Sequence, residues 1–117
     1  IIEFTFHRVI LKFNHNLAIK LPLCKEGIED NIKELELYNN CKNDLKEFLN
    51  PSLYLDKNIL IVENYSKIHY LPEEIHTKII EALKENNLQL KDNNIVDCYG
   101  KNKDKHIVLT DYTFFNS

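Results

Sequence analysis

Between Asn58 and Asn87 the hydrophobic pattern changes period, which confines the chain to a fold that mixes strands with helices. Asn58-Ile59-Leu60-Ile61-Val62 is a short β-branched run, polar residues fill 63–67, and Ile68-His69-Tyr70-Leu71 follows. This pattern predicts a β-hairpin. Pro72 then opens a helix, with Glu73 and Glu74 where carboxylates meet the positive end of the helix dipole. Ile75, Ile79, Ala82 and Leu83 share one face, and Asn86-Asn87 ends the pattern.

The flanking sequence repeats the theme. Val9, Leu11 and Phe13 alternate with Ile10 and Lys12, and after Asn14-His15-Asn16 the chain returns through Leu17, Ile19 and Leu21. Upstream, Ile2, Phe4 and Phe6 have the opposite parity, so the strand must bulge or break near Arg8, and a bulge is the more economical reading. Pro22 closes this hairpin and a helix begins near Cys24 or Lys25, with Ile28, Ile32 and Leu35 as its apolar stripe and Gly27 weakening its first turn. Asn39-Asn40 interrupts it, and Leu45, Phe48 and Leu49 resume it up to Asn50-Pro51, giving two helices or one kinked helix before a loop over 51–57. Near the C-terminus, Ile95–Tyr99 and Ile107–Phe115 flank a lysine-bearing loop and predict a third hairpin.

The expected fold is α+β, in the order ββ-α(α)-ββ-α-ββ. An antiparallel sheet of five to six strands from three hairpins carries two to three helices on one face, as an open-faced sandwich. At 117 residues, 44% hydrophobic and 28% charged, the chain has the balance of a soluble single domain able to bury a core without disulfide or metal. It begins Ile1-Ile2 and lacks methionine, so a fragment or processed form of a longer chain is expected. Abundant Ile, Asn and Lys beside sparse Gly and Arg fit AT-biased coding rather than a functional signal.

Composition narrows the function classes. The net charge is -3 and Arg8 is the only arginine, which disfavours nucleic acid as the partner, because arginine supplies most bidentate phosphate and base contacts. No apolar run is long enough to span a bilayer. Three widely spaced cysteines, Cys24, Cys41 and Cys98, cannot all pair within one chain and favour a reduced, intracellular setting. Against that setting stands Asn64-Tyr65-Ser66, a formal glycosylation triplet that arises readily by chance in an Asn-rich chain.

No catalytic, cofactor or metal motif emerges. Cys24, between a strand and a helix, is the candidate nucleophile, but no oxyanion-binding loop follows it. His69 and His76 lack the helical spacing of zinc ligands. Cys98, His106 and Asp111 lack any spacing that supports a triad, and Cys98 reads as core. With Gly27 and Gly100 as the only glycines, phosphate-binding loops are excluded. The remaining signal is surplus apolar surface: the unbroken run Ile59–Val62 and the adjacent rings Phe114 and Phe115 place apolar side chains on both faces of a sheet.

The sequence is therefore read as a non-enzymatic protein-interaction domain or assembly subunit, binding a protein partner or its own copies through a sheet face or edge. Leu60, Val62, Phe114 and Phe115 are the expected contact residues, and no cofactor or metal is implied. The alternative is a small-molecule-binding protein or small enzyme with a pocket between sheet and helices, using Cys24 or His69 and His76. A weaker third reading places an anion-dependent surface on Lys101, Lys103 and Lys105.

Overall fold

The structure, a computed structural model, describes residues 2–90, 95–112 and 115–116. The class is α+β, with an antiparallel five-stranded sheet, a separate three-stranded sheet and three α-helices among the described residues. The contacts divide the chain into two compact units. One comprises Ile1–Asn40 with Pro51–Asn64, the other Cys41–Asn50 with Tyr65–Ser117.

The first unit contains strands β1 (Ile2–Phe4), β2 (Arg8–Lys12) and β3 (Leu17–Pro22), helix α1 (Lys25–Asn40), and strands β4 (Ser52–Asp56) and β5 (Ile59–Glu63). Its strand order is β1-β2-β3-β5-β4. The parity change near Arg8 is a break rather than a bulge: Thr5–His7 turns the chain, and Ile2 and Phe4 pair with Leu11 and Val9. This turn is closed by Thr5, whose backbone and side chain both bond to the Arg8 carbonyl, at 2.8 and 3.1 Å.

Another departure concerns the hairpin partner of Ile59–Glu63. The stretch expected to be a loop forms β4, and Asp56 pairs with Ile59 across Lys57-Asn58. Both turn residues have positive φ, 50° and 71°, the backbone of a two-residue type I′ turn whose twist matches that of paired strands. The Leu53-Tyr54 region carries a register shift between Ser52 and Tyr54, which blurs the alternation that would otherwise mark a strand.

Helix α1 also turns a different face inward than its apolar residues suggest. Gly27, Asn31 and Glu34 are buried, whereas Ile32 is 37% exposed. Gly27 is there for space: a Cβ at this position would stand 2.3 Å from the His7 carbonyl oxygen and 3.1 Å from Pro22 Cα.

The second unit comprises α2 (Asn43–Lys46), β6 (Ser66–Lys67), α3 (Glu73–Glu85), β7 (Gln89–Leu90), a 3-10 turn over Ile95–Cys98, β8 (Tyr99–Lys101), β9 (Ile107–Leu109) and β10 (Phe115–Asn116). β6, β8 and β9 form its three-stranded sheet, and β10 pairs with β7. The third hairpin is thus present but shorter than expected, because Ile95–Cys98 winds into the 3-10 turn. Its core includes Leu45, Leu49, Ile79, Leu83, Val108 and Leu109, all at most 2% exposed. The Tyr112 hydroxyl donates to the Asn50 carbonyl at 2.9 Å, and Leu49 bridges to Leu109.

Candidate interaction surface

The five-stranded sheet has two faces of opposite chemistry. Alternation and register place Arg8, Ile10, Ala18, Lys20, Leu60 and Val62 on the face toward α1. There the Glu34 carboxylate accepts from Arg8 Nη2 and from Lys20 Nζ, each at 2.6 Å. Asn31 Oδ1 accepts from Arg8 Nη1 at 2.9 Å, while Asn31 Nδ2 donates to the carbonyls of Lys20 and Asn58 at 3.0 and 2.8 Å. All four side chains are at most 2% exposed. Burial alone would push the Glu34 carboxyl up, but the Arg8 and Lys20 charges and their hydrogen bonds outweigh it and hold the group below its ordinary range. A charged trio in this position ties three elements together: β2, β3 and α1.

The opposite face is apolar. Ile2, Leu11, Ile19, Ile61 and Tyr54 lie side by side across β1, β2, β3, β5 and β4, each paired with the next. Beside that row runs Phe4, Val9 and Leu21. No helix of the first unit covers this face among the described residues, since its one helix packs through Asn31 and Glu34 on the other side. At its margins Phe4 is 77% exposed, Ile2 59% and Tyr54 55%. The charged residues of this face are both acidic: Glu63, opposite Leu17, and Asp56, opposite Ile59.

Of the expected contact residues, Leu60 and Val62 are 0% and 1% exposed and point toward α1, so they belong to the core. Their neighbours Ile59 and Ile61 have the parity of the open face. One β5 residue in two therefore serves each side. Phe114 lies outside the described residues, and for Phe115 only the backbone, in β10, is described.

The residues of the alternative reading fall in different units, Cys24 in the first and His69 and His76 in the second. Cys24 is exposed just before α1. Glu26 has its carboxyl held below the ordinary range by a backbone hydrogen bond, with a further hydrogen bond from Cys24. Nearby, His7 Nδ1 and Asp30 Oδ2 are 3.0 Å apart. No group of three or more His, Cys, Asp or Glu residues could hold a metal ion among the described residues. His76 is half-buried, whereas exposed His69 lines an open cleft of about 410 Å³ with Lys67, Tyr70, Pro72, Lys101 and Ile107. A second open cleft, of about 370 Å³, is lined by Asp44, Glu47, Phe48, Lys78, Glu81 and Glu85. Neither cleft brings a nucleophile to a base. Lys101, Lys103 and Lys105 are exposed around a turn in which Asn102 Oδ1 accepts from the backbone N–H groups of Asp104 and His106. Cys98 is buried, and its carbonyl accepts from the Thr110 backbone.

No helix among the described residues is long and apolar enough to cross a membrane. Compared with known proteins, the chain matches no family model, no curated protein and no solved structure.

Proposed function

We propose that this chain is a non-enzymatic protein-interaction domain whose working surface is the open face of its five-stranded sheet. One observation supports the reading: the row Ile2, Leu11, Ile19, Ile61 and Tyr54 spans all five strands on the side away from α1, with Ile2 and Tyr54 exposed at its ends, Leu11 and Ile19 half-buried and Ile61 buried, and no helix of its own unit covers it among the described residues. Open antiparallel sheets ordinarily alternate apolar-in with polar-out. Here the outward positions of β2 and β3 are Val9, Leu11, Leu17, Ile19 and Leu21. A contiguous apolar patch of this kind marks a contact surface more often than a solvated one.

The test uses a double variant, Leu11→Thr with Ile19→Thr, which places β-branched threonine, a good strand former, at both positions and leaves the helix-facing core intact. Wild type and variant are compared by gel filtration in extract of the source cells. The wild type should elute far above the size of a 117-residue monomer and the variant near it. A wild-type chain eluting as a monomer, or a variant still eluting large, would reject the face as the working surface.

A further inference from the structure

We infer that the cleft of about 410 Å³ in the second unit binds a small organic anion with an aromatic body, its charge held by Lys67 and Lys101. All of the lining belongs to that unit, and the cleft is a binding site additional to the sheet face of the first.

The sign of the ligand follows from the pairing of β6 with β8. Ser66 lies opposite Lys101 and Lys67 opposite Gly100, so the two lysines are diagonal neighbours on adjacent strands. Both are exposed and both line the cleft. Like charges on neighbouring strands repel, and an opposite charge between them relieves the repulsion. Where two cations meet in the first unit, at Arg8 and Lys20, the chain supplies the Glu34 carboxylate. At Lys67 and Lys101 it supplies none. The chain has 18 acidic side chains against 15 basic ones, yet no carboxylate lines this cleft, and neither lysine forms an ion pair among the described residues. Glu73 and Glu74, which follow Pro72, are not part of the lining, and Glu74 stands 3.7 Å from Lys78. A carboxylate or phosphate brought by a ligand supplies the missing charge, and His69, exposed in the same lining, adds a ring N–H donor.

The rest of the lining gives the ligand its body. Ile68, Pro72 and Ile107 are half-buried and form apolar walls, and Tyr70 adds a ring that is 75% exposed. A bare anion would fill a small part of the volume and leave these walls wet. Small-molecule sites span about 300–1,000 Å³ and combine apolar lining with a few placed polar groups, which is the composition found here. An aromatic ring carrying the anion satisfies both halves: it covers the isoleucines and stacks on the flat face of Tyr70 while its charge reaches the lysines.

The experiment titrates phenyl phosphate into the isotope-labelled whole chain at low salt and follows the amide signals of Lys67, His69, Tyr70 and Lys101 by NMR. Inorganic phosphate and benzyl alcohol serve as the charge without the ring and the ring without the charge. Phenyl phosphate should bind at least fivefold tighter than either. Lys67→Gln with Lys101→Gln should weaken it at least tenfold and Tyr70→Ala at least threefold, in chains whose remaining amide signals match wild type. Lys103→Gln with Lys105→Gln, on the adjoining turn but outside the cleft lining, should change it less than twofold. Inorganic phosphate binding as tightly as phenyl phosphate would overturn the aromatic body. Equal losses in the two lysine pairs would show attraction to basic surface at large and overturn the cleft as the site. Binding unchanged in the Lys67 and Lys101 variant, or no shift of these four amides with millimolar probe, would overturn the site altogether.

Discussion

Gly27 and Glu34 show how single residues position α1. Alanine at 27 would raise helix propensity by about 1 kcal/mol, yet its Cβ would meet a backbone carbonyl, which cannot swing away as a flexible side chain can. Crowding should win, and Gly27→Ala is expected to lower stability by about 1–3 kcal/mol in urea unfolding. Glu34→Gln leaves Arg8 and Lys20 buried without their shared carboxylate and should cost about 3–5 kcal/mol. The carboxyl is depressed below its ordinary value of 4.5, so its contribution is fully present above that pH. It is lost as pH falls through the lower folded-state value. Wild-type stability, followed by denaturant midpoints, should hold steady down to about pH 5 and fall below it. In Glu34→Gln this part of the acid dependence should be absent. These roles were hidden in the sequence because glycine reads there as a helix weakener and glutamate as a solvated charge. Only the approach of β2 and β3 gives Glu34 its partners.

Among the elements, alternation was the legible signal and contact partner the illegible one. β2, β3 and β5, the start of α1 and the whole of α3 follow from periodicity and from Pro22, Pro72 and Asn86-Asn87. The β4–β5 hairpin did not, because its turn is Lys57-Asn58 rather than the Asn-Gly or Asp-Gly that announces a type I′ turn. Replacing the pair by Lys57→Asn with Asn58→Gly should relieve the positive-φ strain and raise stability by about 1 kcal/mol, measured as a shift in thermal midpoint. The stripe of α1 was misread for a related reason. Ile28, Ile32 and Leu35 have helical spacing, but the inward stripe is Gly27, Asn31 and Glu34, which hydrophobicity alone cannot find. Of the residues expected at a contact surface, Leu60 and Val62 lie in the core, since an unbroken apolar run does not reveal which parity faces the helix.

For the whole molecule, the chain path makes the two units unequal to truncation. Cys41–Asn50 lies within the second unit, although it is separated from the rest of that unit by Pro51–Asn64. It brings Leu45 and Leu49, at 0% and 2% exposure, and the Asn50 carbonyl that receives the Tyr112 hydroxyl. A fragment of residues 65–117 should therefore fail to fold, whereas residues 41–117 should regain dispersed amide signals by NMR. Folded spectra from the shorter piece would show that α2 is dispensable.

The trio of Arg8, Lys20 and Glu34 also sorts the two sides of the sheet. Laid on the open face, α1 would press Asn31 and Glu34 against Leu11, Ile19 and Ile61, with no cation to meet the carboxylate. The helix is thus addressed by charge to one side and barred from the other. A purely apolar helix would carry no such address and could settle on either surface. By making its own helix polar where it docks, the chain keeps that helix from acting as a lid on its greasiest side.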